Sequence, residues 1–224
     1  VWKNGRLIAK DDDSFYLDQT EHAAPAIKLH VKNIPQNIQV PANGKIINVI
    51  SVTQGTVITK TRQVPAKIIH NCVVPDVIND IAKVIVLERH HDTGNFGVGF
   101  VHGLGISKGA IGSSVAHDAH NFLAIGADDT SIITALTKLA EMGGGLVTAE
   151  GEKVTGSFAL PIAGLMNYLT PEQTAQELSK MEASARRIGV KVLNPFMVMS
   201  FLQLSVIPEL RITDLGYVDI TRGG

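Results

Sequence analysis

Cysteine is almost missing from this chain: Cys72 is the only one in 224 residues. No intrachain disulfide can form, and a reducing compartment, by default the cytoplasm, is expected. Excess charge is missing too. Twenty Lys and Arg against 21 Asp and Glu give a formal net charge of −1 and a pI near 6.8. That leaves no electrostatic footprint for nucleic acid or an anionic membrane, and points to a small molecule or another protein as partner. No uncharged apolar run approaches the roughly 18 residues that a spanning helix needs, so no membrane association is expected. The chain opens at Val1 without methionine, inside an extended run, so it is expected to be a fragment of a longer polypeptide.

Several catalytic signatures are also lacking. His22, His30, His70, His90, His91, His102, His117 and His120 include no H-x-H pair and no HExxH. Ser113 and Ser114 sit in no G-x-S-x-G elbow, and the glycine-rich residues 94–105 have neither Walker spacing nor a G-x-G-x-x-G opening a helix.

What is present is a mixture of strand and helix signals without strict alternation. This favours an α+β fold, a largely antiparallel sheet packed with helices, preceded by a short β segment. Asn4-Gly5 between two extended runs predicts a hairpin, which wants a sheet to join. Residues 11–44, broken by Pro25, Pro35 and Pro41, read as a linker with short strands. IINVISV (46–52) and TVITKTR (56–62) predict paired strands around Gln54-Gly55, and Pro65 and Pro75 bound an irregular stretch. KVIVLER (83–89) predicts a buried strand. In FGVGFVHGLG, Gly97 and Gly99 predict either a bulge or close backbone approach.

Helices are predicted over 129–142, stopped by Gly143, and over 171–188, with Thr170, Pro171 and Gln173 as a capping box. Ala175, Leu178, Met181, Ala185 and Ile188 form the apolar stripe of the second. A hairpin is predicted around Glu150-Gly151, a segment of either type over 196–204, and a final strand at GYVDIT. There is no internal repeat.

Polar chemistry concentrates in GISKGAIGSSVAHDAHNFLAIGADD (105–129). His117, Asp118 and His120 offer two imidazoles and a carboxylate within four residues. Three readings stay open: a metal site, although two histidines three apart share a face only on a helix; histidines satisfied by backbone and Asp118 in a glycine-rich turn; or a loop presenting polar groups to a ligand held mainly elsewhere. Arg89-His90-His91-Asp92 follows the buried strand, where functional side chains are often placed, but with its lead into Thr93-Gly94-Asn95 the cluster, judged alone, reads as a solvated turn.

Residues 105–129, RHHDTGNFGVGF (89–100), LPIAGLM (160–166) and NPFMVMSFLQLSVIPELRITDLGYVDIT (194–221), in that arrangement, resemble the C-terminal domain of bacterial and archaeal adenine deaminases of the amidohydrolase superfamily. The resemblance covers about residues 46–221. It implies a parent that hydrolyses adenine to hypoxanthine and ammonia with a divalent metal (manganese, iron or zinc) held by an N-terminal TIM barrel absent from this chain. It also implies homo-oligomerisation, a returning β-sandwich segment within residues 1–45, and the C-terminal α+β domain over 46–224.

No catalytic or metal-ligating residue is then expected here. The substrate-binding or gating candidates are His117, Asp118, His120, Asn121, Ser114, His90 and His91. Two departures stand out: many members read AHDSHN where this chain has Ala119, and GTND where it has Gly126-Ala127-Asp128-Asp129. The missing serine hydroxyl argues against a hydrogen-bonding side chain at position 119 and leaves the histidines. With one cysteine, the zinc site of the cytidine-deaminase type, which needs P-C-x-x-C, is impossible. The alternatives are a purely structural or oligomerisation module and a stand-alone small-molecule-binding protein. The isolated chain is expected to release no ammonia from adenine with added manganese, iron or zinc; turnover that follows the purified chain and is abolished by a chelator would overturn this.

Overall fold

IAKVIVL (residues 81–87) lacks polar alternation, and in the computed structural model, which describes residues 1–11, 13–14 and 31–222, all seven residues are buried in one strand. The main body runs β1 (Ile46–Ser51), β2 (Lys60–Pro65), β3 (Ile81–Leu87), β4 (Phe96–His102), β5 (Ala110–Ser113), β6 (Phe122–Gly126), α1 (Asp129–Met142), β7 (Gly145–Glu150), β8 (Lys153–Ala159), α2 (Pro171–Arg187) and α3 (Pro195–Ser200). It closes with a hairpin of β9 (Leu210–Thr213) and β10 (Gly216–Asp219). Eight strands form one sheet in the order β8-β7-β5-β6-β3-β4-β1-β2. Every neighbouring pair is antiparallel except β4–β1, which touch in parallel only at Val101–Ile50 and His102–Ser51. The fold is α+β, as the sequence predicts.

Both faces of the sheet are covered over its central strands β3, β5 and β6. Ala82, Val84 and Val86 of β3 share a core with Met181 and Ala185 of α2 and Phe196 and Met199 of α3. Ile85 and Leu87 point the other way, onto Ile132, Ala135, Leu136 and Leu139 of α1. Each buried Val, Ile, Leu, Met or Phe among them contributes about 1.5–3 kcal/mol by leaving water. The exception in β3 is Lys83, 1% exposed, whose Nζ donates to Ile38 O at 3.0 Å and to Asp129 Oδ1 at 2.5 Å. It ties the incoming segment and the start of α1 to the central strand.

Both long helices begin and end where their caps predict. Asp128 accepts from the Ser131 amide, and Gly143 takes the left-handed conformation (φ 74°) after α1. Thr170 and Gln173 complete the capping box of α2. The ambiguous 196–204 segment is mostly helical: α3 runs into a 3-10 turn over Phe201–Gln203. Leu178 departs from its predicted stripe. It is 39% exposed and lines an open groove with Val115, Phe158, Leu165, Phe196 and Met197.

Other departures have local causes. The second strand of the first pair begins at Lys60, not Thr56, because residues 57–59 bond the C-terminal segment instead: Thr59 Oγ1 donates to Leu210 O (2.8 Å), and Val57 O accepts from Arg211 Nη2 (2.7 Å). The stretch between Pro65 and Pro75 contains a short hairpin, Ile68–Ile69 with Cys72–Val73, turning on left-handed His70 and Asn71. The Asn4-Gly5 hairpin forms as predicted, Trp2 opposite Leu7. Its strands pair only with each other among the described residues. Of the linker, residues 15–30, with His22, Pro25 and His30, lie outside the described residues.

The two glycines of β4 resolve the choice between bulge and close approach. β4 pairs with β3 without interruption from Ile81–His102 to Leu87–Phe96, so there is no bulge. Instead the β9–β10 hairpin lies against it, and the Tyr217 ring covers Gly99. The Tyr217 hydroxyl accepts from the Phe100 amide (2.6 Å) and lies 3.1 Å from Asn48 O, bridging β4 and β1 where their short ladder gives out. A Cβ at Gly99 would lie 2.5 Å from the Tyr217 ring. Gly99→Ala is therefore expected to cost about 1–3 kcal/mol in urea unfolding, whereas Gly44→Ala, with nothing within 4 Å, stays near wild type; equal effects would contradict this packing.

Candidate functional site

Between the sheet and α2 the buried Thr148 and Ser184 hydroxyls pair with each other, whereas the polar candidates gather where strands end. Residues 88–95 connect β3 to β4, and residues 114–121 connect β5 to β6; both leave the sheet at the same end, where Leu87 pairs with Phe122 and Phe96. The His90 Nε2 lies 2.6 Å from Ala119 O, which requires a proton on that nitrogen and joins the two connections. His117, Asp118 and His120 thus sit in a loop, not on a helix.

The loop is closed on itself. The His120 amide donates to Ala116 O (2.6 Å), and the Ala116 amide donates to His120 Nδ1 (3.2 Å). An Nδ1 that accepts is unprotonated, so the neutral ring is the Nε2–H tautomer. No hydrogen bond from a described residue reaches that Nε2 or either ring nitrogen of His117. Burial holds the His120 imidazole below the usual histidine range, the positive neighbours His117, Arg89 and His90 reinforce this, and Asp118 opposes it. The His117 ring stands edge-on to His120 at 5.7 Å and lies 5.0 Å from Phe201, while its amide donates to Ser200 O. Asp118 is exposed at the tip. The loop therefore offers an N–H donor, a second imidazole and a carboxylate acceptor side by side.

The other candidates have different surroundings. Ser114 is fully buried: its hydroxyl donates to Gly164 O (2.5 Å) and accepts from the Gly145 amide (2.7 Å). Asn121, 4% exposed, accepts from the Arg89 amide and donates to Asp214. Both brace the loop from beneath. His91 is exposed and gives its amide to Glu88.

Two neighbours matter that are not among the predicted candidates: Glu88, expected at the end of the buried strand, and Arg89, expected at the head of a turn. Glu88 gathers the amides of His90 (2.5 Å), His91 (2.9 Å) and Thr93 (3.1 Å) and the Thr93 hydroxyl. Burial alone would raise its pKa, but these donors outweigh burial and hold it at about 2. Arg89 is 2% exposed beneath the loop, and burial brings it down to about 10, still charged at neutral pH. The available signal was position: two charged residues prolonging a strand buried on both faces cannot simply turn into solvent.

Among the described residues, no three His, Cys, Asp or Glu side chains converge to hold a metal ion. The donor chemistry agrees, since His120 Nδ1 and His90 Nε2 are already engaged with backbone groups. The described residues offer no donor set that fits the divalent metal that the resemblance implies for a parent enzyme.

A family described as the adenine deaminase C-terminal domain matches residues 56–223. Over 224 aligned residues the chain is 39% identical to adenine deaminase 2 of Carboxydothermus hydrogenoformans and 38% identical to the adenine deaminase of Methanothrix thermoacetophila, covering 99% and 100% of this chain. A 142-residue stretch is 51% identical to the adenine deaminase of Desulfatibacillum aliphaticivorans, covering 63% of this chain and 25% of that protein. The chain spans only 39% and 38% of the length of the first two relatives.

Glu88 makes the site's support acid-sensitive. Its folded pKa of about 2 lies below the ordinary 4.5, so its contribution is complete above about pH 4.5 and lost as pH falls toward 2. Glu88→Gln is expected to flatten that part of the stability curve. Urea midpoints at pH 6, 4 and 3 check this, and an unchanged acid slope in the variant would contradict it.

Proposed function

The chain belongs to the adenine deaminase C-terminal domain family, and from that premise we propose that it forms the C-terminal part of a metal-dependent enzyme converting adenine and water to hypoxanthine and ammonia. Residues 1–45 would then be the returning segment of a β-sandwich and linker, and 46–224 the domain itself. The divalent metal, manganese, iron or zinc, belongs in this reading to an N-terminal amidohydrolase barrel, where it supplies an activated water. This domain's own contribution is the 114–121 loop, closing over the barrel's substrate site.

One observation carries the reading: the His120 N–H, the His117 ring and the Asp118 carboxylate lie together in one half-exposed loop braced by buried side chains. A purine edge carries ring-nitrogen acceptors beside an exocyclic amine, so a donor next to an acceptor suits it. His120, held below the usual histidine range, would act there as a neutral donor, with its proton on Nε2. His90 would steady the loop tip through Ala119 O.

The second reading, a scaffold that supports the barrel or a homo-oligomer, draws on the open groove beneath α2, about 320 Å³ in volume and flanked by exposed Met166, Tyr168, Leu169 and Met197. The two readings part in the full-length enzyme. With the loop closing the site, His117→Ala or Asp118→Ala lowers turnover about tenfold or more at unchanged metal content. A scaffold would instead keep turnover per folded site in both variants, and that result would reject the closing role.

A further inference from the structure

Beneath the loop lies a cation with no anion bonded to it among the described residues. Arg89 Nε donates to His120 O, Nη2 donates to Ala163 O (2.9 Å), and the guanidinium carbon stands 5.6 Å from the centre of the Phe122 ring. Nη1 is buried without a hydrogen-bond partner among the described residues, and a Cβ on Gly164 would come within 2.7 Å of it. For stability alone this is a poor use of a buried position, since an apolar side chain of similar volume avoids the desolvation cost. What a guanidinium alone supplies is a rigid planar fork joining two carbonyls at fixed separation.

Those two carbonyls belong to segments far apart in sequence. His120 O closes the polar loop. Ala163 O sits in a tight turn whose residues Ala163 and Gly164 are both left-handed (φ 55° and 73°), and whose Gly164 O is gripped by the Ser114 hydroxyl. The turn is thus held from two sides, and Arg89 transmits its position to the loop. Because the His120 ring is locked to Ala116 within the loop, moving His120 O moves the direction in which Nε2–H points.

We propose that Arg89 is the positioning residue of the His117–His120 loop, holding it against the 160–166 turn so that the His120 N–H faces outward in one orientation. The role in turnover rests on the reading that this loop closes the substrate site; the anchoring of the loop does not. The turn within LPIAGLM thereby acquires a function, that of the fixed wall against which the loop is set.

Arg89→Lys tests it, because the ammonium keeps the charge and loses the fork. In this chain the variant is expected to exchange the His120 amide at least about tenfold faster while β3 and α1 amides keep their protection. Histidine nitrogen shifts should move from one His120 tautomer toward a mixture. In the full-length enzyme, kcat should fall at least about tenfold with KM and metal content little changed. Should the lysine variant fail to fold, Gly164→Ala displaces the same guanidinium from the opposite segment and is expected to give the same exchange and tautomer changes. A folded variant with wild-type exchange and a single His120 tautomer overturns the anchoring. A loosened loop with wild-type kcat upholds the anchoring and rejects the closing role of the loop.

Discussion

Burial of the sheet's central strands on both faces is the constraint from which the rest of this molecule follows. β3 has helices α2 and α3 on one side and α1 on the other, and none of its seven residues reaches solvent. A strand in that position admits no uncompensated polar group, because each would lose its water without a replacement. Lys83 is admitted because two partners receive its ammonium, and both lie on elements that must be fastened to the sheet. Glu88 and Arg89 follow directly after the strand's last residue, and the polar cluster is built around them.

The same economy governs the buried guanidiniums. Arg211 is fully enclosed, and its four acceptors are the carbonyls of Val57, Phe201, Ile207 and Pro208. Arg89 likewise bonds carbonyls alone. Each uses a planar donor set to join irregular segments whose backbone groups have no ladder to enter. By contrast, Lys108–Glu150, Lys180–Glu177 and Arg186–Glu182 lie on the surface, where such pairs contribute roughly 0–1 kcal/mol. The few buried cations, more than the surface pairs, hold the loops in place.

This arrangement makes the polar loop unlike an ordinary surface connection. Its underside is bound by Arg89, Asn121 and Ser114, while its upper side leaves the His117 ring, the His120 Nε2 and the Asp118 carboxylate without a hydrogen bond from the described residues. A braced base beneath polar groups holds a site on a loop in one geometry. The adjoining apolar groove supplies the complementary feature, a surface on which another body could seat. In the proposed enzyme both would lie at the junction with the barrel.

Legibility in the sequence followed the range of the forces involved. The caps of α1 and α2, the Asn4-Gly5 turn, the hairpin at Gly151 and the all-apolar β3 depend on residues within a few positions of each other, and each was readable in advance. The polar residues of 117–121 and their placement in a loop were readable for the same reason. What only the tertiary structure decided were contacts between distant segments. The start of β2 is set by Arg211 and Leu210 some 150 residues away, Gly99 of β4 by Tyr217 and Gly97 by Thr213 and Gly216, and the exposure of Leu178 by its place on an open groove. The role of Arg89 belongs with these. Its charge suggested solvent, and only the convergence of His120 and Ala163 on one buried point, through packing that no local pattern encodes, turned it inward.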